Sequence, residues 1–212
     1  MPRTRTSAKG SGLKTPLEDV TFAFLDTETT GLSPSWGARL CELAILFVRN
    51  GETIDEYQTL IDPETPMDPG AQRIHGISDE MVAGKPTFRQ IAAEVRERLR
   101  GTVIVCHNLQ FDKRFMAAEF QDAGLTVPDI PELCTLQLAR RQFSFQRNGL
   151  GHIVDCEIDA EFKQRHGLTS DGAHRAMHDV RLLHGVFRYL ISKLPPAKHP
   201  KTLGDLLRLV KK

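Results

Sequence analysis

Two carboxylates, Asp26 and Glu28, stand two residues apart at the end of an apolar run, in the stretch "FAFLDTETTGL" (22–32). Side chains alternate faces along a strand, so both acids point the same way. Like charges on one face repel unless something cationic lies between them. A third acid, Asp112, falls in "VIVCHNLQFDKRF" (103–115), in the first turn of a helix that follows a short apolar strand. Strand-exit acids of α/β sheets converge where the loops leave the strand ends. A fourth, Asp179, lies in "GAHRAMHDVRLLHG" (172–185), with His174 just upstream as a proton acceptor. Each has an ordinary reading alone: a solvated strand end for the first pair, an acid favoured by a helix dipole for Asp112. Together they are what a two-metal phosphoryl-transfer site needs. Two divalent cations ~3.5–4 Å apart would bind a phosphate, activate water and stabilise the leaving oxygen. Hard ions such as Mg²⁺ or Mn²⁺ take such oxygen ligands, and a neutral histidine can accept the proton of the attacking water. No basic residue in the three stretches is expected to neutralise the acids.

The elements that must carry these residues are legible in the periodicity. Strands are predicted over Thr21–Asp26, Leu40–Arg49 and Ile54–Ile61, the last two joined by an Asn50–Gly51 hairpin turn. After the Pro-rich "DPETPMDPG", short helical turns are expected at Gln72–His75 and Asp79–Val82. Phe88, Ile91, Ala92, Val95 and Leu99 recur at helical spacing behind a Thr87/Gln90 capping box. "TVIVC" is a buried strand, and a helix from about Gln110 to Ala123 stops at Gly124. Further helices are expected at Thr135–Arg141, Leu150–Asp155 and Asp159–His166, and a long one from about Ala173 to Ser192, ended by Pro195–Pro196. In the tail, Leu203, Leu206, Leu207 and Val210 form a narrow stripe behind a Thr202/Asp205 cap. A hairpin followed by alternating strands and helices predicts an α/β fold, a mixed β-sheet with helices on both faces. The expected organisation is a basic arm over 1–18, one catalytic domain over 19–195 and a tail over 196–212.

The totals add limits. A chain of 212 residues can bury a full core. The net charge of +1 does not announce a nucleic-acid partner, so any such contact rests on local patches. Of the four separated cysteines, three lie in apolar runs and read as buried residues of a reducing compartment; with no apolar run of ~18 residues, the expected address is the cytoplasm.

"FLDTETTG" (24–31), "CHNLQFDKRF" (106–115) and "HRAMHD" (174–179) resemble the three exonuclease motifs of the DEDDh family, in the ribonuclease-H-like superfamily. They look like those of the proofreading epsilon subunits of bacterial DNA polymerase III. The resemblance runs from Phe22 to Leu194 and takes in "IHGISDEMVAGKPTF" (74–88) and "CTLQLAR" (134–140). It implies a ribonuclease-H-like fold and a metal-dependent 3′–5′ exonuclease releasing nucleoside 5′-monophosphates. It makes Asp26, Glu28, Asp112 and Asp179 the ligands of two Mg²⁺ or Mn²⁺ ions and His174 the general base. It places Thr29, Thr30, Gly31 and Leu32 against the terminal nucleotide, Gly31 for close backbone approach and Leu32 as a wedge, with His75, His107 and Phe111 lining the pocket. Glu42 resembles a position near the site and is left outside the ligand set. His178 stands where the family usually has another polar or acidic residue, and is expected at the surface.

Several alternatives stay open. His174 and His178, four apart on a helix, suit zinc, but Arg175 stands where a metalloprotease needs Glu. "HD" also occurs in all-helical phosphohydrolases, which the opening strands contradict. A non-catalytic interaction module would be expected to lose an acid, whereas all four are kept. "DTETTG" favours a single-stranded or frayed DNA 3′ end over RNA, with RNA 3′-end processing as the alternative. "RRQFSFQR" (140–147) is a candidate single-strand contact, or equally a helix end followed by core phenylalanines. The tail stripe docks on its own domain or takes a partner such as a polymerase.

Overall fold

A computed structural model describes residues 12–171 and 174–211. Its centre is one five-stranded sheet: β1 (Thr21–Thr29), β2 (Leu40–Arg49), β3 (Glu52–Leu60), β4 (Val103–Cys106) and β5 (Glu132–Cys134), in the order β3-β2-β1-β4-β5. β1, β2 and β3 pair antiparallel, and β4 and β5 continue parallel to β1. Asn50 and Gly51 both take positive φ (52° and 77°), the conformation that a tight two-residue hairpin between β2 and β3 requires.

The helices are α1 (Pro69–His75), α2 (Asp79–Val82), α3 (Phe88–Leu99), α4 (Leu109–Asp122), α5 (Thr135–Gln142), α6 (Leu150–His152), α7 (Ala160–His166), α8 (Ala176–Ser192) and α9 (Leu203–Arg208). The alternation along β1 sorts them into layers. Ala23 and Leu25 pack with Phe88, Val95, Phe115 and Phe120 of α3 and α4. Phe22 and Phe24 face the other way, onto Val180 and Leu183 of α8 and Leu203 and Leu206 of α9. Burying several such side chains at ~1.5–3 kcal/mol each holds both layers to the sheet. No helix among the described residues is long and apolar enough to cross a membrane.

Four departures from the predicted elements bear on the site. β1 runs on to Thr29, so Asp26 and Glu28 lie within the strand and not at its end. β5 was not anticipated: three residues are too few to show a period. The helix expected over Leu150–Asp155 is α6 followed by a π-helical turn, Ile153–Glu157. α8 begins at Ala176 and not Ala173, because His174 takes left-handed φ (68°) and Arg175 is extended, so the chain enters the helix from a loop.

The tail packs onto its own domain. The Thr202/Asp205 capping box forms, Leu203, Leu206 and Leu207 are buried against the sheet, and Val210 packs beside them. Of the arm expected over 1–18, the first eleven residues lie outside the described residues. From Gly12 onward the chain runs along the tail: Leu203 N donates to Thr15 O and Gly204 N to Leu13 O. The stripe thus packs on its own domain, with Leu209 and Val210 half-buried at its end.

Candidate active site

β1 pairs with β4 over Phe22–Phe24 and Val103–Val105, and β4 ends at Cys106 while β1 continues. Beyond that point the centre of the sheet has an open flank. Asp26 and Glu28 follow Phe22 and Phe24 on the α8 face of β1, and the first turn of α8 carries Asp179. The carboxylates of Asp26, Glu28 and Asp179 come within 4.8 Å of one another. Thr27 points to the opposite face, where its hydroxyl donates to Asp112 Oδ1 at 2.9 Å. Asp112 therefore arrives from α4, beside the three-acid group and outside it. Asn108, at the entrance to α4, takes left-handed φ (68°), the sharp turn that brings the helix start back towards β1.

The acids are held against their electrostatic preference. Burial first, then the negative charges of Asp112, Glu28, Asp179 and Glu42, raises Asp26 well above the usual carboxylate range. Burial and the charges of Asp179, Glu42 and Asp112 push Glu28 up to about 8. Asp112 is pushed up to about 7 by burial, against the Thr27 hydrogen bond. Asp179 is raised, again by burial first, although the backbone N–H of His174 donates to its Oδ2 at 2.9 Å. Crowded, desolvated carboxylates of this kind fit divalent cations with oxygen ligands, which would return them to the ionised form.

Glu42 explains itself differently. It is the register partner of Glu28 across β1 and β2, and only 1% exposed. Burial would raise it, but hydrogen bonds from Arg175, Gln58 and the Ala176 amide leave it below the usual range. Arg175 grips it with two donors, Nε to Oε2 at 3.2 Å and Nη2 to Oε1 at 3.0 Å, while Ala176 N donates to Oε2 at 3.1 Å. Glu42 thereby caps α8 and anchors the loop that presents His174. Its ion pair also corrects one expectation: Arg175, inside the third motif, is a cation near the acids and lowers Glu28 somewhat.

The two neighbouring histidines are placed in contrast. His174 is exposed, and its ring makes no hydrogen bond among the described residues. His178 lies in the first turn of α8, and its Nε2 sits 3.1 Å from Thr169 O. The pair is therefore not arranged as two helical zinc ligands.

Thr29, Thr30, Gly31, Leu32, His75 and Phe111 all line one cleft of about 930 Å³ that opens beside Glu28. Its turn is braced from within: Thr29 Oγ1 donates to Gly31 O at 2.7 Å, and Thr30 Oγ1 accepts from Arg39 N at 3.0 Å. A β-bulge at Glu28/Thr29 re-aims the chain there. A Cβ on Gly31 would stand 3.3 Å from Ala38 Cβ, so close packing already favours glycine. His75 Nδ1 accepts from Ile77 N at 3.0 Å, which leaves Nε2 to donate to Thr29 O at 3.2 Å; the ring is a brace for the turn. Phe111 divides its surface between the cleft and Phe115, 5.0 Å away between centroids. His107 is placed elsewhere. Its ring nitrogens lie 2.9 Å from Thr135 Oγ1 and 2.7 Å from Asn148 O, and it does not line the cleft. In the "RRQFSFQR" stretch, Phe143 and Phe145 stack on each other and pack on the core under α8.

Nothing in the residue pattern marks Thr27 as the partner of Asp112, and Arg175 reads only as a departure from a zinc motif and not as the partner of Glu42. Threonine and arginine inside a motif carry no pattern of their own.

A model of the family described as Exonuclease matches residues 23–187. The chain is 32% identical over 188 residues to 3′-5′ exonuclease DinG of Bacillus subtilis (strain 168), covering 89% of this chain and 19% of that protein. It is 34% identical over 158 residues to DNA polymerase III subunit epsilon of Pasteurella multocida (strain Pm70), covering 69% and 62%. The chain thus spans less than two thirds of these relatives' length. Among solved structures it is similar to exonuclease X in complex with 5′ overhanging duplex DNA, with a TM-score of 0.63, 23% identity and coverage of 90% of this chain and 99% of that one. An E. coli ExoI–ssDNA complex gives a TM-score of 0.71 at 20% identity, covering 82% and 41%. At those identities the structures speak for the fold, a mixed sheet flanked by helices.

Proposed function

This chain belongs to the exonuclease family, and from that premise we propose that it removes nucleotides stepwise from 3′ ends, releasing nucleoside 5′-monophosphates. The observation that carries this reading is the meeting of Asp26, Glu28 and Asp179 within 4.8 Å, with Glu28 on the cleft lining and His174, whose ring has no partner among the described residues, next to Asp179. Asp26, Glu28, Asp112 and Asp179 would hold two Mg²⁺ or Mn²⁺ ions, which when bound supply charge neutralisation at the phosphate and a more acidic water. The Thr29–Leu32 turn and Phe111 seat the terminal nucleotide, with its phosphate at the acids. His174 takes a proton from the attacking water. Its oxygen bonds to phosphorus as the bond from phosphorus to the 3′ oxygen of the preceding nucleotide breaks. That oxygen leaves as the new 3′-hydroxyl after taking a proton from solvent, and His174 returns its own to solvent. DNA, single-stranded or frayed at a mismatch, is the substrate supported by the "DTETTG" motif and by the DNA named with the relatives.

The test compares 5′-labelled single-stranded DNA, mismatched duplex and RNA with Mg²⁺ and with excess chelator. The expected result is a ladder shortened one nucleotide at a time from the 3′ end of DNA, abolished by chelator. Cutting of circular single strands, or full activity in chelator, contradicts the reading. A clear preference for RNA overturns the substrate assignment alone.

A further inference from the structure

The cleft changes character from its head to its mouth. Thr29, Thr30 and His75 at the inner end are buried, whereas Leu32, Trp36 and Ile74 on the same lining are 73%, 80% and 58% exposed. Trp36 is the single tryptophan of the chain. Its backbone is fixed by a one-turn 3-10 helix, Pro34–Trp36: Trp36 N donates to Ser33 O at 3.1 Å, Gly37 N to Pro34 O at 3.1 Å, and Gly37 takes the left-handed φ (83°) that closes the turn. A large aromatic face is thus held in water on a rigid support. Arg73 lies on the same lining and makes no ion pair or hydrogen bond among the described residues. At about 930 Å³ the cleft lies at the upper end of the ~300–1,000 Å³ of single small-ligand sites, so it has room beyond one nucleotide. A strand whose 3′ end is seated at the carboxylates has this mouth as an exit beside Glu28.

We propose that Trp36 is a stacking platform for the second base from the 3′ end, with Arg73 holding the adjoining backbone phosphate. Apolar face and free cation are the two features that single-strand contacts combine, and aromatic stacking accepts any base because every base has a π-face. The inference rests on the exonuclease reading above. It adds a subsite that grips the substrate one step behind the bond being cut, and so favours strands of at least two nucleotides over mononucleotide esters.

The lone tryptophan makes this measurable without turnover. Oligothymidylate of four residues is titrated into the His174→Ala chain with Mg²⁺, and intrinsic fluorescence is read. Quenching is expected with the intact oligonucleotide and with one abasic at its terminal position, and is expected to be lost when the second position is abasic. Trp36→Ala should raise KM for the tetranucleotide at least ~5-fold, from the weaker end of base stacking, with kcat within about twofold. Trp36→Phe should restore most of it, and hydrolysis of p-nitrophenyl thymidine 5′-monophosphate, which has no second base, should not change. Equal quenching by the oligonucleotide abasic at position two, or an unchanged KM in Trp36→Ala, overturns the proposal. If the wild-type chain hydrolyses neither substrate, it is the exonuclease reading that fails instead.

Discussion

Glu28 and Glu42 sit directly opposite each other on β1 and β2, both removed from most of the solvent, yet their charges fare in opposite ways. Glu28 is pushed up to about 8, because burial and three neighbouring carboxylates oppose its ionisation more than Arg175 favours it. Glu42 is lowered, because Arg175, Gln58 and the Ala176 amide satisfy it. Burial alone therefore does not mark a site for chemistry. What marks it is burial left uncompensated by the protein, so that the compensation has to come with the ligand. The same contrast separates the histidines: the ring of His178 rests on a backbone carbonyl, and that of His174 has no partner among the described residues.

The largest effects should come from the uncompensated side. Asp26→Asn and Asp112→Asn are each expected to lower single-turnover cleavage of a 3′-terminal nucleotide by at least ~10³-fold. Both should nonetheless raise the thermal stability of the metal-free protein at pH 7, since each removes a carboxyl whose ionisation the fold opposes. A destabilised metal-free Asp26→Asn chain would break the comparison. Next come the histidines. His174→Ala should cost at least ~10²-fold in the same assay with metal binding retained, and His178→Ala far less. If His178→Ala is the crippled variant, the free ring has been assigned the wrong role.

On the compensated side the sign of the stability change reverses. Glu42→Ala leaves Arg175, Gln58 and the Ala176 amide without their acceptor, and should destabilise by about 1–3 kcal/mol in urea denaturation. Turnover should fall as well, through the loop that holds His174. Unchanged stability would mean that the Glu42 network does not hold α8.

The smallest effect is a slope. The folded-state values of Glu28 and Asp112, about 8 and about 7, lie above their ordinary 4.5 and 3.8. Below about pH 6.5 the lowered values of desolvated histidines such as His184, at about 4, work the other way, but between about pH 6.5 and pH 8 the two carboxyls bind more protons in the metal-free folded chain than in the unfolded one, and stability should fall as pH rises through that window. Mg²⁺ should flatten the fall by binding the ionised folded form. Melting temperatures across this window with and without Mg²⁺ check the direction. A metal-free stability that rises towards pH 8 contradicts it.

Much of this was legible from residue order. The spacing of Asp26 and Glu28 placed them on one strand face, and the patterns over 88–99, about 110–123 and about 173–192 located the helices that cover the sheet to within a few residues. The four acids and His174 were named from their motifs, and the tail stripe from its cap. Less visible was anything set by long-range partners. Glu42 reads as an odd acid in an apolar strand until Arg175, 133 residues away, is seen to grip it. Asp112 could be paired with the site but not with the Thr27 hydroxyl, which turns it to the opposite face of β1. His75 and His107 carry the same residue type, yet one braces the cleft turn and the other binds Thr135 and Asn148 outside it. The start of α8 was misplaced because nothing in "GAHRA" announces that a histidine will take a left-handed backbone.

The most direct test of uncompensated charge is calorimetric titration of Mn²⁺ into the metal-free chain at pH 7, in two buffers of different ionisation heat. Raised carboxylates carry protons at that pH and must lose them to bind a cation. With Glu28 at about 8 and Asp112 at about 7, roughly one proton or more should be released per chain, and Glu28→Gln should reduce that number while Glu42→Gln should not. Binding heats that are identical in the two buffers, or no binding at all, would contradict the account.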